Sequence, residues 1–161
     1  MCPRNRFRYK IIAFLNADLA VLSHAARAAH AAATHEECQP DNKYDTTALE
    51  ASYIAQGQAN RAQDIRAALA TYSKLELRTF DDNTPIRLTA LVTLEGEDGA
   101  RRQVFIGPEA GGLKIAGPAG EIVVITPASP LGRSLIGKCV GDEIQTGSAE
   151  ARKTLSIEDV R

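Results

Sequence analysis

Apolar residues in the first half of the chain recur at Ile12, Leu15, Leu19, Leu22, Ala26, Ala29 and Ala33. The spacing alternates three and four, the pattern of a helix seam. Counting back from Tyr72 gives a second run with the same spacing: Leu69, Ile65, Ala62, Gln58, Ala55, Ala51 and Ala48. Between the runs lies Glu36-Glu37-Cys38-Gln39-Pro40-Asp41-Asn42-Lys43-Tyr44-Asp45. Pro40 lacks an amide hydrogen and disfavours helix in the residue before it. Asp41 and Asn42 are turn and cap residues. The pattern predicts a first helix ending before this stretch and a second beginning at about Asp45 or Thr46, each of roughly 25–28 residues and about 40 Å long. A short connection makes them antiparallel neighbours. Leu15 and Leu19 then face Leu69 and Ile65, while Ala26, Ala29 and Ala33 face Ala48, Ala51 and Ala55. Alanines bury little area, so the distal half of such a hairpin is expected to be held weakly. A dimeric coiled coil has the same spacing, but an alanine-rich seam is a poor dimer interface and favours pairing within one chain.

After Tyr72 the period changes. Asp81-Asp82-Asn83-Thr84-Pro85 is a turn-rich linker. Leu88, Ala90, Val92 and Leu94 alternate with other residues as in a half-buried strand, and Glu95 to Gly99 reads as a hairpin turn. Strands are expected at Gln103–Ile106, Leu113–Ala116, Glu121–Thr126, after Val140-Gly141-Asp142-Glu143, and at Thr154–Ile157. Ser129 to Gly137 predicts one short helix, with Ser129 as cap and Pro130 at its first position. The fold class is therefore α+β: residues 1–74 as an antiparallel helical hairpin with an acidic tip, residues 75–161 as a small antiparallel sheet with one helix.

Composition narrows the function. The 161 residues suit one domain or two small ones, and a net charge of −1 gives no reason to expect nucleic-acid or membrane binding. Cys2, Cys38 and Cys139 are odd in number and far apart, which argues against a zinc site or a disulfide framework and for free thiols in a reducing cytoplasm. Arg4, Arg6, Arg8 and Lys10 precede an apolar stretch interrupted by Asn16 and Asp18, so no signal peptide or membrane span is expected. His24, His30 and His35 do not share a face closely and read as solvated.

Two stretches carry a resemblance. Ser129-Pro130-Leu131-Gly132-Arg133-Ser134-Leu135-Ile136-Gly137-Lys138, followed by Val140-Gly141-Asp142, resembles the "SPLGRALLGK…GD" signature that closes the FKBP-like domain of the Gre transcript cleavage factors (GreA and GreB). Val104-Phe105-Ile106-Gly107-Pro108-Glu109-Ala110 resembles that family's "IVGPEEAD" segment. The order, hairpin first and sheet second, also agrees. The resemblance covers nearly the whole chain and is strongest from Leu91 to Ile157.

The resemblance implies a transcription elongation factor acting with bacterial RNA polymerase. The C-terminal domain would dock at the rim of the secondary channel, which makes Ser129, Pro130, Leu131, Gly132, Arg133 and Lys138 the partner-binding candidates. The hairpin would enter the channel, where tip acids help hold a Mg²⁺ ion shared with the polymerase while the RNA 3′ end is cut. Asp41 matches the family's first tip acid. Position 44 is Tyr44, the second acid falls at Asp45, and Glu50-Ala51-Ser52-Tyr53 follows the family's next stretch only loosely. Asp41 and Asp45 are thus the catalytic and metal candidates. Mg²⁺ takes hard oxygen ligands, often one or two carboxylates plus phosphate oxygens, and a second ion roughly 3.5–4 Å from the first can activate water and steady the leaving oxygen. The structural alternative makes these acids solvated, with Asp45 capping the second helix. The expected protein is a cytoplasmic monomer with no tightly bound cofactor, not itself an enzyme but a stimulator of the polymerase's own cleavage. Its alternative is a Gre-like regulator that occupies the same channel without cleavage. Prolyl isomerase activity is not expected, because Phe80 and Phe105 are the second domain's only aromatic residues.

Overall fold

Proline is favoured in the first turn of a helix, where its missing N–H is not needed, and helix α1 begins at Pro3. The computed structural model describes residues 3–34, 46–147 and 152–161. Helix α1 runs Pro3–Thr34 and α2 runs Thr46–Lys74, so α2 starts where the turn residues placed it, while α1 begins several residues before the expected seam. The chain divides into two compact units, Ile12–Ala70 and Met1–Ile11 with Thr71–Arg161.

In the helical unit, Leu15, Ile65 and Ala68 are buried, and Leu19, Leu22, Gln58 and Ala62 are half-buried. Arg61 donates to Asp18 Oδ2 at 3.2 Å, which ties the middle of α2 to the middle of α1. From His24 to Ala28 and from Ser52 to Gly57 every side chain is exposed. The size gradient in the sequence thus reappears as a burial gradient, with apolar contact concentrated at one end.

The sheet unit is built from β1 (Leu91–Gly96), β2 (Arg101–Ile106), β3 (Lys114–Gly117), β4 (Gly120–Ile125), the short helix α3 (Pro130–Leu135), β5 (Glu143–Thr146) and β6 (Lys153–Val160). They form one six-stranded sheet in the order β3-β4-β2-β1-β6-β5. The pairing is antiparallel except between β2 and β4, which run parallel with Val104 opposite Val123 and Ile106 opposite Ile125. Parallel neighbours need a crossover. Here the loop from Gly107 and the β3–β4 hairpin supply it, fastened by Gly107 N–H to the Ile125 carbonyl and Gly112 N–H to the Val124 carbonyl, both 2.8 Å. The expected first strand starts later than its alternation suggests. Thr89 has φ of 77°, and its N–H donates to the Ile106 carbonyl at 2.8 Å; extended pairing begins only at Leu91.

One sheet face carries Val92, Leu94, Val104, Ile106, Ile125, Ile157 and Val160, packed in one cluster with Leu135 of α3 and Ile86. The alternate residues Leu91, Phe105, Ile122 and Val124 are buried as well, so both faces are covered where Val104-Phe105-Ile106 of β2 and Ile122–Ile125 of β4 form continuous apolar runs. Phe7, Ile11, Tyr72 and Leu75 are buried in this same unit. Arg8 donates to the Leu75 carbonyl at 3.0 Å and Lys10 Nζ to the Ala116 carbonyl at 2.6 Å. Among the described residues, Asn5–Ala28 is long and apolar enough to cross a membrane, with a mean hydropathy of 1.3. Its first turns, however, make these polar and apolar contacts with the sheet unit, and a lipid-embedded segment would forfeit them.

Candidate functional site

Ser129 adopts φ −66° and ψ 154°, extended as an N-cap requires. Its Oγ accepts from Gly132 N–H at 3.0 Å and donates to the Thr126 carbonyl at 2.7 Å. One hydroxyl thus caps α3 and ties it to the end of β4. Gly132 is buried, and a Cβ there would lie 2.0 Å from the Thr126 carbonyl oxygen. Only glycine lets the helix come this close. At the other end Gly137, with φ of 83°, donates to the Ile86 carbonyl at 2.9 Å, and Ile86 N–H donates to the Lys138 carbonyl at 2.8 Å. Gly141 N–H reaches the Ile157 carbonyl at 2.8 Å, and Asp142 Oδ2 accepts from Cys139 N–H at 2.8 Å.

The six partner-binding candidates therefore fall into two groups. Ser129 and Gly132 hold the helix in place, and Leu131 is half-buried against the core. Pro130, Arg133 and Lys138 are exposed, with Arg133 Nη1 also donating to the Ala128 carbonyl at 2.6 Å. Ile136, which sequence reading did not single out, is an exposed large apolar residue beside them, 39% accessible. Its position just past the last helical turn was legible; its exposure was not, because Leu131 and Leu135 on the same short helix turn inward. The result is a surface of cations and apolar groups on a rigidly seated element.

The Val104–Ala110 segment has a structural reason as well. Tyr72 is fully buried and its Oη donates to the Glu109 carbonyl at 2.8 Å. A Cβ on Gly107 would sit 2.2 Å from that Oη. Burial holds the Tyr72 phenol protonated well above its ordinary range. Phe105 is fully buried and lines no open aromatic pocket.

Asp41 and Asp45, with Glu36 and Glu37, lie outside the described residues. His24 is exposed. Among the described residues no group of three His, Cys, Asp or Glu is arranged to hold a metal.

These features define a protein of two units, an antiparallel helix pair and a six-stranded, mostly antiparallel sheet that seats a capped helix with an outward cationic and apolar surface. No family model matches the chain, and no curated protein matches it. Among solved structures the chain is similar to the transcription factor Gfh1, with 20% identity over 96% of this chain and 92% of that one and a TM-score of 0.42. It is similar to GreA factor homolog 1 (Gfh1) of Thermus thermophilus, with 17% identity, coverage of 96% and 94%, and a TM-score of 0.40. It is also similar to the prokaryotic transcription elongation factor GreA/GreB from Nitrosomonas europaea, with 17% identity, coverage of 60% and 78%, and a TM-score of 0.37.

Proposed function

We propose that this protein is a secondary-channel transcription factor of bacterial RNA polymerase, working in the cytoplasm. The observation that carries the reading is the Ser129–Lys138 segment. It has the Gre-like signature, its Ser and Gly residues seat α3 firmly, and Pro130, Arg133, Ile136 and Lys138 are left exposed. A docking surface needs this combination of apolar anchor and steering charge on a rigid support.

In this reading the sheet unit docks and the hairpin carries Asp41 and Asp45 to the polymerase active site. The protein is not a nuclease by itself: two carboxylates on a tip provide neither a full Mg²⁺ shell nor a substrate groove. Together with a polymerase-bound ion and the phosphates of a backtracked RNA they would complete one. Mg²⁺ is then shared with the polymerase and not held by the free protein, whose partners are the polymerase and the RNA 3′ end.

One observation favours a second reading. Position 44 is Tyr44, and the second acid is displaced by one residue to Asp45. A tip that cannot present both carboxylates to one ion would occupy the channel without supporting cleavage, and the protein would then be a non-cleaving regulator or inhibitor.

The test is a stalled, backtracked elongation complex with Mg²⁺ and the intact protein. The first reading expects accelerated release of short 3′ RNA fragments, loss of that stimulation in Asp41→Asn and Asp45→Asn, and little change in polymerase binding. Equal stimulation by wild type and the double variant removes the tip mechanism. Binding without stimulation by the wild type selects the second reading.

A further inference from the structure

Side chains alternate along a strand, which puts Arg102 of β2 on the face of Val104 and Ile106, both members of the core cluster. Its partner across the ladder is Leu94, which is fully buried. β2 is an interior strand. A cation at this position is costly to bury, and Arg102 is exposed at the mouth of the core. Among the described residues its guanidinium makes no hydrogen bond or ion pair. Several charges around it are paired, Arg101 with Glu95, Asp159 with Arg161 at 2.8 Å, and Lys114 with Glu121 at 3.0 Å, while Glu158 accepts from Ser156 Oγ at 3.1 Å.

Arg102 borders a wide groove of about 740 Å³ that also holds Arg101, Arg161, Glu121, Glu158 and Asp159, and it lies where two smaller grooves meet. One, about 330 Å³, is bounded by Pro130, Leu131 and Ser134 on the α3 side and by Gln145 and Thr146 of β5. The other, about 320 Å³, runs along the β1–β2 turn to β6 and is lined by Glu97, Asp98 and Lys153 as well as Arg101 and Arg102. Among the described residues the first of these two smaller grooves has an apolar wall, one unpaired cation and neutral polar groups opposite.

We propose that the α3–β5 groove is a docking groove in which Arg102 receives a carboxylate side chain of the partner protein. An aliphatic neighbour of that carboxylate would lie on Pro130 and Leu131. The inference rests on the reading that the chain docks on polymerase through the α3 surface, and it names the chemistry of the partner segment: an acidic residue beside an apolar one. Charge decides between a carboxylate and a nucleic-acid phosphate. A phosphate backbone is held by several cations together, whereas among the described residues this groove holds the one guanidinium of Arg102, and Glu97 and Asp98 line its neighbour. A single carboxylate matches a single Arg bidentately.

The experiment measures equilibrium binding of the full chain to bacterial RNA polymerase for wild type, Arg102→Ala, Arg102→Glu and Arg102→Lys. Arg87→Glu, an exposed charge that lines neither groove, is the control, and thermal unfolding checks that each variant is folded. Arg102→Glu is expected to weaken binding about tenfold or more and Arg102→Lys less, since lysine keeps the charge and loses the planar fork. The salt dependence of binding should flatten in Arg102→Ala, a readout that a merely structural role would not move. Wild-type affinity in a folded Arg102→Glu overturns the groove assignment while leaving polymerase docking intact. Binding competed by single-stranded RNA but not by an acidic, leucine-containing peptide overturns it in favour of phosphate. Failure of the wild type to bind polymerase overturns the docking reading itself.

Discussion

Gly107 and Tyr72 make a double-mutant cycle whose terms follow from geometry. Gly107 is buried, and its backbone is not among the positive-φ glycines. Alanine is therefore conformationally acceptable there, and its cost is steric. The added Cβ would meet Tyr72 Oη at 2.2 Å, Val124 Cγ1 at 2.9 Å and the Glu109 carbonyl oxygen at 3.3 Å. Overpacking of this kind costs about 3 kcal/mol. Tyr72→Phe removes the hydroxyl and its 2.8 Å bond to the Glu109 carbonyl; because Glu109 is exposed, water can take up part of the loss and the cost is about 1 kcal/mol. Additivity would put the double variant at about 4 kcal/mol. With the hydroxyl gone, the shortest clash goes too and only the Val124 and Glu109 contacts remain. The double variant is therefore expected at about 2–3 kcal/mol, a favourable coupling of about 1–2 kcal/mol, as found for residues in direct contact. Urea unfolding of the four proteins measures it. A coupling near zero, or a Gly107→Ala protein as stable as wild type, would refute the proposed contact.

Three further outcomes follow from the same contacts. Tyr72 has its phenol pKa raised by burial above the ordinary 10.0, so the stability it contributes is fully present below pH 10 and is lost as the unfolded chain ionises at higher pH; Tyr72→Phe should flatten the alkaline limb of a stability–pH curve, and an unchanged limb would contradict the burial argument. Gly132→Ala should destabilise by about 3 kcal/mol or more, because the added Cβ meets backbone at 2.0 Å, whereas Ser129→Ala should cost about 1 kcal/mol as a lost cap; the reverse order in chemical denaturation would refute the account of α3. Asp81 has its carboxyl pKa lowered mainly by the Thr84 hydroxyl, which donates to it at 2.6 Å, so its stabilisation of the 81–84 turn is present above the unfolded pKa and lost as pH falls through the lower folded value; Asp81→Asn should weaken that acid dependence, read by the amide exchange of Asn83 and Thr84.

Much of the fold was legible because local rules govern it. The alternating three-and-four spacing marked both helices, Thr46 was within the expected start of α2, and Ser129-Pro130 marked the cap and first position of α3. The parallel β2–β4 pair was not legible, since pairing direction depends on the path of the Gly107–Leu113 loop and not on any strand's own alternation. The early start of α1 was hidden by charge: Arg6, Arg8 and Lys10 interleave with Phe7 and Ile11, and the stripe is recognised only once the sheet unit is seen to receive it. At the site, the exposed Arg133 and Lys138 were legible as charges on a recognisable motif. The structural roles of Ser129 and Gly132 toward Thr126 were not, because they depend on how closely α3 approaches the end of β4. Arg102 escaped notice for the same kind of reason: its meaning comes from lying on a core face between two elements distant in sequence.

The most direct measurement of the central claim is equilibrium binding of the intact protein to bacterial core RNA polymerase, compared with an Arg133→Glu/Lys138→Glu variant whose unfolding curve matches wild type. Saturable one-to-one binding by the wild type and a loss of about tenfold or more in the variant are expected. No binding by the wild type, or equal binding by both proteins, would contradict it.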